Sequence, residues 1–184
     1  EFVIIYIPSQ LQYLIKKGGI HMKQLNWATL GCGVIANELA QALSKEGRTL
    51  YSVANRTHEK AQAFAQKYGI SKVYDNIDDV FYDPDVDIIY ISTPHNTHIN
   101  YLRKALSNGK HVLCEKSITL NITELDEAIS LAKANNVILA EAMTIYHMPV
   151  YKKLNKIISS GQLGRLNLIQ VNFGSYKDYN MTNR

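Results

Sequence analysis

"LGCGVIANEL", residues 30–39, compresses two glycines and an alanine into Gly31-Cys32-Gly33-Val34-Ile35-Ala36. Ahead of it, residues 25–30 read as a buried strand. Behind it, Ile35, Leu39, Ala42 and Leu43 recur at helical spacing until Gly47. A G-x-G-x-x-A turn in that setting serves one of two ends: it holds the pyrophosphate of a dinucleotide on the free amides of the helix, or it is a plain tight bend. Under the first reading Gly31 allows the turn, Gly33 lets the backbone approach the phosphates, and Ala36 lets helix and strand pack closely.

The alternation continues along the chain. Residues 50–54 make a second strand, and Ala61, Phe64, Ala65 and Tyr68 fall at i, i+3, i+4, i+7 before Gly69. Asp83-Pro84-Asp85 marks a turn, and 86–92 is the short β-branched apolar run of a parallel strand covered on both faces. Ile99, Leu102, Ala105 and Leu106 predict a helix ended by Asn108-Gly109, and 111–114 predicts a strand. Leu125, Ala128, Ile129 and Ala132 give another helix and 137–140 another strand. The expected fold is α/β, a Rossmann-type doubly wound parallel sheet over residues 22–146.

The rhythm changes at Met148, where Val150, Leu154, Ile157 and Ile158 predict a helix to Gly161 and "LNLIQVNFG" reads as a longer strand. Residues 147–184 are therefore expected to be a linking helix and the first strand of a truncated α+β sheet domain, one for substrate and oligomerisation. Residues 1–21 look foreign to the rest of the chain: their apolar run stops at Pro8, and Met22 is expected to be the natural start. They read as an upstream or non-native segment.

Composition narrows the function classes. The 184 residues are 46% hydrophobic and 20% charged, as in an ordinary globular protein. The net charge of +4 is scattered rather than gathered in a basic run, which argues against nucleic acid as a partner. Phe2–Ile7 falls far short of the ~20 apolar residues of a membrane span. Cys32 and Cys114 form no C-x-x-C, and no Cys/His cluster has zinc spacing, so no metal and a reducing, cytoplasmic setting are expected.

Three loops at the carboxyl ends of predicted strands carry the candidate chemistry. Where NAD-binding folds often place an acidic residue against the ribose, this chain has Asn55, then Arg56 and Thr57. With no carboxylate to repel a 2′-phosphate and Arg56 able to pair with it, NADP is the favoured cofactor and NAD the alternative. Arg56 otherwise merely solvates the next helix. In "STPHNTHINYL", Thr93 and Pro94 form a rigid turn with Asn96 and His98 near a helix start, facing a ligand crevice or simply capping the helix. In "GKHVLCEKSIT", Glu115 and Lys116 come directly after a strand, and a lysine there can protonate a carbonyl oxygen as hydride reaches its carbon. An exposed Glu-Lys pair is also ordinary solvated surface.

Taken together, "GCGVIA", "ANRTHEKAQAFAQKYG", "ISTPHNTHINYLRKALSNGKHVLCEKSIT", "AEAMTIYHMPVYKKL" and "GQLGRLNLIQVNFG" resemble the Gfo/Idh/MocA oxidoreductases across residues 22–177, most of all the dihydrodiol dehydrogenase-like branch. The resemblance implies an NAD(P)-dependent dehydrogenase or reductase that moves hydride to or from a sugar, polyol or dihydrodiol-like alcohol or carbonyl. It further implies that Gly31, Gly33, Val34 and Ile35 hold the pyrophosphate, and that Asn55 and Arg56 meet the adenosine ribose. Thr93, Pro94, Asn96 and His98 would line the nicotinamide side, with Glu115 and catalytic Lys116 at the reaction centre. Ala142, Met143 and Tyr146 would border cofactor and substrate, or else pack beneath the domain junction. The same likeness implies a small-molecule substrate and a homo-oligomer in the full-length protein. Two departures stand out: the family usually reads Glu-Lys-Pro where this chain has Ser117, expected to loosen the loop, and the family's Asp- and His-bearing helix has no match before Arg184. A non-catalytic dinucleotide-binding module is the alternative, and a purely structural α/β domain a third.

Overall fold

Ile88–Ile91 (β5) is hydrogen-bonded on both sides, to Trp27–Leu30 (β2) and to His111–Cys114 (β6), in parallel register. Helices cover both faces of such a strand, so it can carry the unbroken apolar run Ile-Ile-Tyr-Ile. The computed structural model describes residues 3–6, 25–172 and 174. Contacts divide the chain into two units, Phe2–Met143 and Thr144–Arg184.

In the first unit, Ser52–Ala54 (β3) and Lys72–Val73 (β4) extend the sheet on the β2 side, and Leu139–Glu141 (β7) extends it beyond β6. Val3–Tyr6 (β1) closes the outer edge antiparallel to β7, pairing Val3 with Glu141 and Ile4 with Ala140. The order is β1-β7-β6-β5-β2-β3-β4, with every pair but the first parallel. Four residues of the segment set apart in the sequence thus belong to this sheet.

Between the strands run Val34–Lys45 (α1), His58–Tyr68 (α2), Asp79–Tyr82 (α3), His98–Ser107 (α4) and Ile122–Ala134 (α5). α2, α4 and α5 bury residues of the stripes that their periodicity announces, whereas in α1 only Leu43 of the expected Ile35, Leu39, Ala42 and Leu43 is buried, Ile35 and Ala42 being exposed. α1 buries Ala36, Ala40 and Leu43; α2 buries Ala61, Phe64 and Ala65; α4 buries Ile99, Leu102, Ala105 and Leu106. Because side chains alternate across a strand, both faces of the sheet bury apolar side chains. Ala28, Leu30, Ile89 and Ile91 pack with α4 and α5, and Val53 packs with α1 and α2. Gly69 ends α2 in the left-handed conformation, as a helix stop requires. β2 turns to β3 on one side while β5 turns to β6 on the other. The sheet therefore reverses between β2 and β5, and a crevice opens beyond their carboxyl ends.

The second unit holds a short turn at Thr144–His147 and the helix Pro149–Ser159 (α6), with Tyr146 edge-on to Tyr151 at 5.2 Å. The strand expected in "LNLIQVNFG" is absent through residue 172, Phe173 lying outside the described residues. Alternating apolar residues hold a strand only against a partner ladder, and none adjoins 166–172 among the described residues; Leu168 and Val171 are exposed.

Candidate functional site

The turn after β2 is built on Gly31. Its φ of +109° suits a residue without Cβ, and an added Cβ would lie 2.8 Å from Ser92 Oγ and 2.9 Å from Ser92 O. Gly31 N donates to Ala54 O at 2.9 Å and Ser92 N donates to Leu30 O at 2.9 Å, so the ends of β2, β3 and β5 meet there. The close backbone approach thus falls at Gly31 against the protein itself. Gly33 has nothing within 4 Å of the position its Cβ would take. It is the N-cap of α1, in extended backbone, with no side chain capping the helix and no acidic residue in the first turn. The amides of that turn keep their partial positive charge for an anion.

A cleft of about 430 Å³ opens over this helix end. Gly31, Cys32 and Gly33 form one wall, Asn55, Arg56, Thr57 and Lys60 a second, and Ser92, Thr93, Pro94 and Thr97 a third, with Ile77 and Tyr101 completing the lining. No carboxylate lines it among the described residues. Arg56 and Lys60 are exposed cations without an acidic partner among the described residues. The Asn55 amide donates back to Thr57 O at 2.9 Å, which fixes the turn presenting Arg56. Burial pushes the Cys32 thiol up to about 11 against the pull of Lys60, so it lines the cleft as a neutral thiol.

The other candidate residues are not among those that line this cleft. Val34 and Ile35 begin α1 with exposed side chains, so their contribution to an anion is through backbone amides. Asn96 is exposed on the turn His95–Thr97. His98 is fully buried, its ring between two backbone carbonyls: Nε2 is 2.9 Å from Thr93 O and Nδ1 3.0 Å from Ser117 O. Ala142 is buried with Tyr90, Leu113 and Ala140 in a small core, and half-buried Met143 follows it. Tyr146 belongs to the second unit.

Glu115 and exposed Lys116 leave β6 at the same end of the sheet. Tyr90 Oη donates to Glu115 Oε1 at 2.6 Å; burial and then the Glu115 carboxylate push that hydroxyl far above its ordinary range, keeping it a donor. Glu115 Oε2 accepts from Lys116 N at 3.3 Å, Glu141 Oε1 accepts from Ile118 N at 2.9 Å, and Ser117 O faces His98. Side chains thus hold the loop where Ser117 was expected to loosen it. The Lys116–Ser117 peptide bond is cis.

Lys60, Ile77, Ser92, Thr97 and Tyr101 are cleft residues that the sequence pattern did not single out. Lys60 had a signal: it lies in the first turn of the helix after β3, at the end of the sheet that carries Arg56. An uncapped helix end, a glycine turn, two cations and no lining acid among the described residues fit a dinucleotide diphosphate.

Similarity to known proteins agrees with that geometry. A model described as an oxidoreductase family with an NAD-binding Rossmann fold matches residues 25–143. Trans-1,2-dihydrobenzene-1,2-diol dehydrogenase of Xenopus tropicalis is 34% identical over 80% of this chain and 46% of its own length; that of Mus musculus is 33% identical over 82% and 46%. The chain spans just under half the length of these curated relatives. Among solved structures, an NAD-binding oxidoreductase from Klebsiella pneumoniae superposes with a TM-score of 0.71 at 27% identity, covering 77% of this chain and 40% of that one. A 3-ketoreductase from Actinomadura kijaniata, in complex with NADP and TDP-benzene, gives 0.70 at 25% identity over 76% and 43%. No helix among the described residues is long and apolar enough to cross a membrane. With its glycine turn, its strand order and a matching model over most of the folded sheet unit, the chain belongs to the Gfo/Idh/MocA oxidoreductase family.

Proposed function

We propose that this chain is the cofactor-binding part of an NADP-preferring dehydrogenase or reductase acting on a sugar-, polyol- or dihydrodiol-like alcohol or carbonyl. The observation that carries the reading is the pairing of Arg56 and Lys60 on one wall of the cleft, with no carboxylate lining it among the described residues. A 2′-phosphate beside two cations gains charge-assisted hydrogen bonds, whereas a bare 2′-hydroxyl gains little. The amides at the opening of α1 would take the diphosphate, and Thr93 and Pro94 would flank the nicotinamide end. The bound nicotinamide would supply or accept the hydride.

This chain's residues would manage the proton. Lys116, on a loop held by Glu115, Glu141 and His98, would donate to the substrate oxygen in reduction and take its proton in oxidation. Tyr90 would keep Glu115 in place beneath it. The reading includes a reducing, cytoplasmic setting, supported by the free thiols of Cys32 and Cys114, and homo-oligomerisation of the full-length protein.

Titration with NADPH and NADH, followed by nicotinamide fluorescence, tests the cofactor. NADPH should bind more tightly, and Arg56→Ala with Lys60→Ala should weaken it by about tenfold or more while barely changing NADH. Equal binding of the two nucleotides by wild type would remove the NADP preference, and binding of neither would remove the reading. In the full-length protein, Lys116→Ala should lower kcat by about a hundredfold or more at unchanged cofactor affinity.

A further inference from the structure

His98 is 0% exposed, polar, and outside the cleft, yet it bridges two loops that serve different ends of the site. One acceptor, Thr93 O, belongs to the cleft wall; the other, Ser117 O, belongs to the loop of Lys116. On the cleft side the turn is stiff: Thr97 Oγ1 bonds Thr93 Oγ1 at 2.8 Å and donates to Pro94 O at 2.6 Å. On the other side Ile118 N is tied to Glu141 Oε1 at 2.9 Å. The histidine is the first residue of α4, whose Leu102, Ala105 and Leu106 are fully buried, so its backbone has little freedom to follow either loop. A buried imidazole between two acceptors is a rigid strut. The ring donates to both when doubly protonated and to one at a time when neutral.

We infer that His98 is a positioning residue that couples the Thr93 wall of the cleft to the Lys116 loop, so that a dinucleotide pressing on Thr93 and Pro94 is felt at Ser117 and Ile118. The inference rests on the cofactor reading above. A displacement of the Thr93 carbonyl pulls on Nε2, the ring cannot tilt freely within its packing, and Nδ1 carries the movement to the Ser117 carbonyl. By reciprocity, anything that fixes the Lys116 loop also favours the bound form of the cleft.

Two substitutions split the strut. Asn places its amide near the position of Nδ1, keeping the Ser117 link; Gln reaches toward the position of Nε2, keeping the Thr93 link. The chain is titrated with NADPH for affinity and, for amide resonances, with ADP-ribose, which lacks nicotinamide but keeps both phosphates and the second ribose that would press on Thr93 and Pro94. In wild type, ADP-ribose should shift the Ile118 amide although it cannot reach it. His98→Asn and His98→Gln should both lose that shift at saturation, with NADPH weakened about fivefold in His98→Asn and within about twofold of wild type in His98→Gln. An Ile118 shift that survives in both variants, or one missing from wild type that binds ADP-ribose, overturns the coupling alone. Failure of wild type to bind either nucleotide overturns the cofactor reading and the coupling with it. Should both variants unfold, the wild-type ring decides: His98 nitrogen resonances must move with Ile118 at the same ligand concentration, and a ring that stays still while Ile118 moves overturns the coupling.

Discussion

Gly31 and Gly33 sit two positions apart and do different work. At Gly31 the backbone is left-handed, and any Cβ meets the main chain of Ser92 within 3 Å, which cannot swing aside as a side-chain tip would. Gly31→Ala should therefore destabilise the protein by about 2 kcal/mol or more, seen as a lower midpoint in urea denaturation. The G-x-G-x-x-A pattern was legible because glycine is the cheapest way to meet such demands, yet which glycine bears the close contact was not. That depends on where Ser92, sixty-one residues later in the chain, comes to rest. His98 shows the same limit. Its place near a helix start left a crevice-facing role and a simple cap both open, and only the folded chain sets Thr93 and Ser117 on either side of it. Lys60 and Tyr101 escaped notice for a related reason: a lysine or tyrosine on a helix announces nothing until a neighbouring loop makes its surroundings concave.

Helix α1 leaves its opening amides uncapped, which is costly for a helix and useful for an anion site. The two effects can be set against each other. Gly33→Asp puts a strong capping side chain where nothing lies within 4 Å, in extended backbone that aspartate accepts. Thermal unfolding should show a gain of about 0.5–1 kcal/mol. Dinucleotide affinity should fall by about a hundredfold, because the carboxylate takes the amides and repels the diphosphate. A variant that gains stability and keeps its affinity would move the phosphates elsewhere. The longer helices could be read from period and closing glycine because burial of one stripe is a local property of a helix. β4, with two residues, and α3, with one turn, offer no period to detect. Residues 166–172 have the period of a strand and lack a partner among the described residues, so pattern alone misled.

At the opposite end of the sheet from the cleft, one knot centred on buried Asp83 joins three stretches of chain. Asp83 receives Tyr74 Oη, pairs with Lys72 Nζ at 2.6 Å, and accepts from Asp85 N at 2.9 Å; Lys110 Nζ donates to the carbonyls of Asp83 and Val86. Burial alone would raise the Asp83 carboxyl, but the hydrogen bonds from Lys72 and Tyr74 outweigh it and hold the group below its ordinary 3.8. A carboxyl depressed on folding contributes stability that is complete above its unfolded value and is lost as pH falls through the folded one. Global stability should thus decline below about pH 4, and Asp83→Asn should cost about 2 kcal/mol at neutral pH while flattening that decline. Denaturant titrations at pH 7 and pH 3 check both. Nothing in the sequence marked this knot, since its members are ordinary turn and strand residues brought together by the parallel crossover. The outer strand β1 has its own consequence for the molecule. Its antiparallel pairing occupies the free margin of β7, so a shortened version begun at Met22 would bare the peptide groups of Leu139–Glu141. A naked ribbon of that kind recruits strands from other molecules, and preparations of such a version would be expected to clump where the longer one stays dispersed.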